Sequence, residues 1–521
     1  MEPLRVAIVT DTALMNPWQA SVVQALASEP SVLVTGHIHL GCRGLSGPCH
    51  RSSRRDRGAE TGPEPMSVSE AARAAPDIRF DVAIDLSATG SPGLAMALGI
   101  RVWSFSFGSN ARDDARRASY RSISSGRPLT RLALVEAMPA EARPRIIREG
   151  TVGTAHWSLR EQMAQLEDVA RRWVVRAARR ERGQRSVPYT SGDLGQRSRA
   201  QLASDCVDMG ISPLLRVHVA MRLAVAAATS LVRNETWAIG IVRAAITDLV
   251  TAGPTPVQWL ALEPGTFAAD PFGYDDGGTL HIFFEQIRQS EGRGRIAHVA
   301  VAPDGTVTLP RIVLEPAVHA SYPFLFRHDG RLYMLPETAA AQETVLYEAI
   351  APPFGWHAVA RILPGERISD ASVLYHAGRW WLFATMGRPG RDHTLGVWHA
   401  ARPSGPWLPH ADNPVKVDIR SARPAGTPFL LNGVLYRPAQ NSAGSYGRQV
   451  ALNRVDELTE SRFRETTVRY LEADRDGPYP HGFHTVSACG IATLVDGKRV
   501  GFVAGATRRR IIHRLHIGRR H

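Results

Sequence analysis

One phrase recurs about every 50 residues across the second half of the chain, a spacing in the range of propeller blades. It reads FAADPFGYDDGGTLHIFFE from Phe267, HASYPFLFRHDGRLYMLPE from His319, ISDASVLYHAGRWWLFAT from Ile368, SARPAGTPFLLNGVLYRPAQ from Ser421 and HGFHTVSACGIATLVDGKRVGFVAG from His481. Each unit sets a polar cluster before a short apolar strand. A tight turn follows, at Asp276-Gly277, Asp329-Gly330, Ala377-Gly378, Asn432-Gly433 or Asp496-Gly497, and then a strand rich in aromatic and β-branched side chains. Five such hairpins predict an all-β, five-bladed β-propeller. A propeller brings the first strand of every blade to one central channel, so residues far apart in sequence meet at its mouth. Those residues are Asp270, His319, Glu337, Asp370, Arg423 and His484, with Arg437, Gln440 and Tyr446 lining the rim.

At 521 residues the chain exceeds one ordinary core, and two or three domains are expected. The net charge of +13 is mostly arginine, concentrated at Arg51 to Arg57, Arg171 to Arg185 and Arg508 to Arg520. Such runs favour anionic partners or form solvated helix faces. No zinc-finger spacing or aromatic-interleaved RNA motif accompanies them, so nucleic acid is not expected as a partner. Cys42, Cys49, Cys206 and Cys489 follow no paired-ligand pattern, which indicates a reducing compartment and no disulfide framework. The opening MEPLRVAIVTD lacks the features of a secretory signal, so a cytoplasmic location is expected. Leu214 to Val232 is apolar but carries Arg216, His218 and Arg222. That pattern is a basic amphipathic helix, suited to packing on the protein or to peripheral contact with the inner membrane face.

The first half opens as β-α-β: a strand at Leu4 to Thr10, a helix at Pro17 to Ser28 and a strand at Val32 to Gly36. Strands at Phe80 to Leu86 and Ile100 to Phe107 and a short helix at Pro92 to Leu98 extend a parallel α/β domain over 1–157. Gly41 to Pro65 reads as a long loop. Residues 158–235 form a helical and linker region, 236–508 the propeller and 509–521 a basic tail.

The segments GIRVWSFSFGSN from Gly99 and SYRSISSGRPLTRLALVEAM from Ser119 resemble the folate-dependent formyltransferase fold. In that family an Asn, a His and an Asp organise formyl transfer. Ser104 and Ser106 stand where the Asn and His would be, and Glu141 to Arg145 carries no Asp. The resemblance therefore implies a domain kept for binding or assembly, since fold alone does not give function.

In the second half WAIGI at Trp237, ADPF at Ala269, HASYPF at His319, MLPET at Met334, ISDASV at Ile368, RPAG at Arg423, RPAQ at Arg437, YGRQ at Tyr446 and GFHT at Gly482 occur in order. This series, over about 235 to 505, resembles the N-terminal-side domain of plant glucosamine inositolphosphorylceramide transferases. More distantly it is similar to five-bladed glycoside hydrolases of the family 43 type. Those place a base Asp in the first blade, a modulator Asp in the third and an acid Glu in the fourth. Asp270 and Asp370 fit the first two positions, and Arg423 stands where the acid is wanted. Glu337 or Glu285 fills that role only if the chain turns it toward the channel.

Two functions remain open. One is an enzyme of glycosyl transfer or glycoside processing in cell-envelope or glycolipid synthesis. In it Asp270, Asp370 and Glu337 are catalytic, and His319, Arg423 and His484 grip an anionic sugar, sugar phosphate or nucleotide-sugar. The other is a non-catalytic carbohydrate-binding or scaffold protein. No cofactor is expected. A metal held by Asp270, His319, Asp370 and His484 is a third option without a local ligand motif, so no metal is assigned.

Overall fold

The computed structural model describes residues 2–11, 15–40, 65–67, 80–87, 93–108, 114–141, 144–183, 211–251, 255–261, 266–288, 292–387 and 392–501. The expected loop at 41–64, the linker at 184–210, the tail, and Cys42, Cys49 and Cys206 lie outside them. The chain divides into two compact units, Met1–Leu223 and Ala224–His521.

The first unit is built on one sheet of β1 (Leu4–Thr10), β2 (Val32–His39), β3 (Pro65–Ser67), β4 (Val82–Asp85), β5 (Arg101–Phe107), β6 (Leu129–Ala137) and β7 (Arg145–Gly153), in the order β3-β2-β1-β4-β5-β6-β7. Helices α1 (Pro17–Ala27), α2 (Leu94–Leu98), α3 (Ala115–Ser125) and α4 (Leu159–Gly183) accompany it, and α5 (Pro213–Val232) follows. From β1 to β5 the pairing is parallel, as the sequence predicts; β6 and β7 pair antiparallel, which corrects the all-parallel expectation. The reason lies in the side chains. Central strand β1 is apolar on both faces, the mark of a buried parallel strand, whereas β6 alternates buried and open positions along its length.

The second unit is the five-bladed propeller. Its N-terminal strands are β8 (Asn234–Val242) and β9 (Val257–Trp259). Blade one contains β10 (Thr266–Asp276), β11 (Thr279–Arg288), β12 (Gly294–Val301) and β13 (Arg311–Leu314). Blade two contains β14 (Ser321–His328), β15 (Arg331–Glu337), β16 (Thr344–Ala351) and β17 (Phe354–Ile362). Blade three contains β18 (Ile368–His376), β19 (Arg379–Met386), β20 (Thr394–Ala400), β21 (Leu408–Pro409) and β22 (Lys416–Val417). Blade four contains β23 (Phe429–Leu431), β24 (Val434–Asn441), β25 (Gln449–Leu458) and β26 (Phe463–Glu472). Blade five joins β27 (Val486–Cys489) and β28 (Ala492–Gly501) to β8 and β9, so strands from both ends of the unit close the ring.

Four of the five expected turns are present, with positive φ at Gly277, Asp329, Ala377 and Asn432. The fifth is not. Asp496-Gly497 lies inside β28, fully paired with β8, and the turn falls at Gly490 (φ 61°). A nine-residue ladder to β8 outweighs the local turn preference of an Asp-Gly pair.

Candidate functional site

Three successive inner strands carry the same defect. In β10, β14 and β18 two residues oppose one on the neighbouring strand, a β-bulge, and the first of each pair is left-handed: Asp270 (φ 52°), Tyr322 (φ 45°) and Asp370 (φ 55°). Asp tolerates this region because its short polar side chain bonds locally, but a bulky Tyr there is a genuine outlier. Backbone strain of this kind costs about 1–3 kcal/mol and collects at functional sites. The residues paired with the last regular position before each bulge are Glu285, Glu337 and Thr385, so the repeat also sets two acids at equivalent places.

Tyr322 closes the centre. Its hydroxyl bonds Ser372 Oγ at 2.8 Å and accepts the Gly426 N–H at 2.6 Å, linking blades two and three to the entry of blade four. Gly426 (φ 124°) has to be glycine, because a Cβ there would stand 1.8 Å from the Val486 carbonyl oxygen.

Around this centre most of the expected residues come together. Asp370 is buried and accepts two bonds from Arg423, at 2.5 and 3.2 Å, and one from Gln440 Nε2 at 3.0 Å. Glu337 accepts the Asp370 N–H at 3.3 Å, so the chain does turn this acid inward. Burial and then Asp370 push the Glu337 carboxyl well above its ordinary value. Asp270 is buried and accepts from Thr485 Oγ1 at 2.7 Å. Burial lifts its carboxyl to about 7, against the opposing pull of His484. His484 is stacked on Trp237 at 4.1 Å and met edge-on by Tyr446 at 5.2 Å. Burial alone would lower its pKa, but Asp496 and Asp270 outweigh that and raise it to about 9. Gln440 Oε1 is buried without a hydrogen-bond partner among the described residues, an acceptor left for a ligand or water.

Other placements correct the sequence reading. Arg423 is bound by two carboxylates, Asp370 and Asp392 (2.6 Å), and rests near the Tyr446 ring, so its charge is already neutralised and it is not a free grip for phosphate. Arg437 does not line the rim. It is buried in blade four, where its guanidinium bonds Glu465 at 2.9 and 2.6 Å and the carbonyls of Ser421 and Ala422. His319 stands at the edge, half-open. Its Nε2 faces Glu285 at 3.0 Å and its Nδ1 accepts the Gly294 N–H, while the Glu285 bond raises its pKa.

Sequence reasoning missed Tyr322, Asp392, Thr485 and Asp496, the last hidden in an expected turn. Asp270, His484 and Asp496 bring one ligand-type atom each within 4.8 Å of one another. His484 Nδ1 and Asp496 Oδ2 are 2.6 Å apart, a hydrogen-bond separation held by a proton, and no metal is assigned there.

The chain is 34% identical over 252 residues to glucosamine inositolphosphorylceramide transferase 1 of Oryza sativa subsp. japonica, covering 46% of this chain and 34% of that protein. It is 32% identical over 270 residues to the protein of the same name in Arabidopsis thaliana, covering 49% and 34%. The chain thus spans about a third of the length of these relatives. Among solved structures, Zg3597, a family 117 glycoside hydrolase of Zobellia galactanivorans, matches at 12% identity and a TM-score of 0.33, over 46% of this chain and 87% of that one. An exo-beta-1,3-galactanase of Clostridium thermocellum matches at 13% identity and a TM-score of 0.35, over 42% and 57%. Residues 251–499 match the family described as glucosamine inositolphosphorylceramide transferase 1, N-terminal, and this propeller segment is the part of the chain that carries the likeness.

Proposed function

We propose that the chain processes a glycosidic linkage, by transfer or by cleavage, at the axial mouth of its propeller. One observation carries the reading: the carboxyls of Asp270, Asp370 and Glu337 come together from blades one, two and three, and burial raises both Glu337 and, to about 7, Asp270 above their ordinary values. A carboxyl that burial keeps protonated is suited to the acid role. Glu337 is then the proton donor to the leaving oxygen. Asp270 receives the proton of the attacking hydroxyl, or itself attacks the anomeric carbon. Asp370, held by Arg423 and Gln440, faces the ring hydroxyls. The name of the matched relatives, glucosamine inositolphosphorylceramide transferase 1, supports a sugar-linked reaction. Arg423 is paired with Asp370 and Asp392 and His484 with Asp496, so neither cation is free for a phosphate, which favours a neutral sugar over a phosphorylated one.

The reading includes contact with an anionic membrane surface. Helix α5 exposes Leu214, Val217 and Met221, contains Arg216 and Arg222, and has no acidic residue. None of the described helices is long and apolar enough to cross a membrane.

The test is turnover and binding measured on a panel of glycosides and nucleotide-sugars with Asp270→Asn and Glu337→Gln. Each substitution is expected to lower turnover at least 100-fold while a sugar still binds, in line with the 10²–10⁴-fold of general acid–base catalysis. Turnover by both variants at the wild-type rate would end the proposal.

A further inference from the structure

Asp496 holds more of the axial site than its place in the second strand of a blade would suggest. It lies in the middle of β28 and is wholly buried. Its Oδ1 accepts the backbone N–H of His484 at 2.8 Å and of Thr485 at 3.2 Å; its Oδ2 accepts the backbone N–H of Asp270 at 3.2 Å and meets His484 Nδ1 at 2.6 Å. A buried carboxylate costs several kcal/mol unless its oxygens are satisfied, and an apolar residue would serve the ladder equally well. Here all four partners belong to two segments, the entry to β27 and the bulge of β10, and both carry a residue of the site.

The consequence falls on His484. With Nδ1 fixed as a donor to Asp496, the ring presents Nε2 toward Asp270 Oδ1 at 3.8 Å, the same oxygen that Thr485 Oγ1 reaches at 2.7 Å. Trp237 on β8 and Tyr446 after β24 hold the ring plane. Other charged groups acting here are Arg423, which opposes a charge on the ring, Asp370, Glu285 and Glu337, which oppose a charge on Asp270, and His319 and Lys498, which face Asp270 and Asp496.

We propose that Asp496 is the positioning residue of this site: it anchors the His484 ring through Nδ1 and so holds Nε2 toward the Asp270 carboxyl. The proposal deepens the functional reading above, in which Asp270 is the base, by naming what sets an imidazole beside that base. It makes the Asp270 backbone and its counter-charge one unit, because a single carboxylate binds both.

The test is the protonation state of His484, read by nitrogen-15 NMR of the full-length chain labelled at histidine, with His484→Gln identifying its signals. In the wild type the ring is expected to stay charged up to a pH of about 9. Asp496→Asn preserves an oxygen for the His484 and Thr485 N–H groups, but its amide donates to Nδ1 and so requires a lone pair there. The ring in that variant is expected to be neutral at pH 7 with its proton on Nε2, a downward shift of about two pH units or more. Asp270→Asn, which leaves Asp496 in place, is expected to retain a charged ring and supplies the answer if Asp496→Asn does not fold. A neutral wild-type ring at pH 7, an unchanged ring in Asp496→Asn, or loss of charge in Asp270→Asn would each overturn the assignment. None of these readings needs a substrate. A charged, Asp496-dependent ring in a chain that turns over no sugar would therefore sink the functional reading alone.

Discussion

Replacing Glu465 by alanine tests whether Arg437 is a strut of the blade rather than a ligand group. The Glu465 carboxylate accepts two bonds from Arg437, at 2.9 and 2.6 Å, and one from Lys416 Nζ at 2.8 Å. The side chains of Glu465 and Arg437 are 2% and 1% exposed, and Lys416, reaching across from blade three, is 20% exposed. Glu465→Ala leaves Arg437 with the Ser421 and Ala422 carbonyls but with its charge unpaired in the interior. Breaking a buried pair from one side costs about 3–5 kcal/mol. At about 2 °C per kcal/mol for a unit of this size, the propeller melt should fall by roughly 6–10 °C in a tryptophan-fluorescence scan of the full chain. Substituting both partners, Arg437→Met with Glu465→Leu, removes the stranded charge, and Lys416 can extend its amine to water. The double variant should recover more than half of the loss. Acid should shrink the gap between wild type and Glu465→Ala. Burial raises the Glu465 carboxyl, Arg437 and Lys416 pull it down further, and the net value lies below 4.5. The stability from such a depressed group is present above its unfolded pKa and is lost as the pH falls through the folded value. A single variant that melts within about 2 °C of wild type, or a double variant no better than the single, would refute the argument.

His298 gives a second pH dependence. Burial, then His281 and Arg311, lower its pKa to about 4, so its contribution is full above 6.5 and is lost as the pH falls through about 4. His298→Phe should flatten that part of the melting profile, and an unchanged profile would remove His298 as its source. On α5, Val217→Asp with Met221→Asp should abolish co-sedimentation with phosphatidylserine vesicles while leaving the melting temperature within about 2 °C of wild type, because both side chains are exposed. Equal sedimentation of wild type with purely zwitterionic vesicles would count against an electrostatic contact.

What the sequence showed and what it hid follow from range. Blade count, strand order and four of the turns rest on local signals, namely a repeat period, alternation and Gly-containing turns, and these survive folding. Asp270 and Asp370 were legible because each begins a repeat. Their left-handed bulges were not, since alternation hides a one-residue insertion. Arg437 and Gln440 are three residues apart on β24 and part company: Gln440 reaches Asp370 near the axis, while Arg437 reaches Glu465 on β26. Alternation sets the two on opposite faces, and the sheet pairing of β24, β25 and β26 decides which face meets which partner. Asp496 was misread because Asp-Gly is the strongest short hairpin signal, and the ladder that overrides it comes from β8, more than 250 residues earlier in the chain.

That distant pairing ties ring closure to the chemistry of the site. β28 arrives from the C-terminal side and β8 from the N-terminal side, and their register sets Asp496 opposite Ile239 and Lys498 opposite Trp237. Trp237 is the face on which His484 stacks, and Asp496 is its anchor, so two of the three contacts that fix the imidazole come from the two strands that close the ring. Because side chains alternate along a strand, a slip of one residue would turn Asp496 or Trp237 to the other face and release His484. Closure of blade five and assembly of the acid–imidazole centre are therefore the same event.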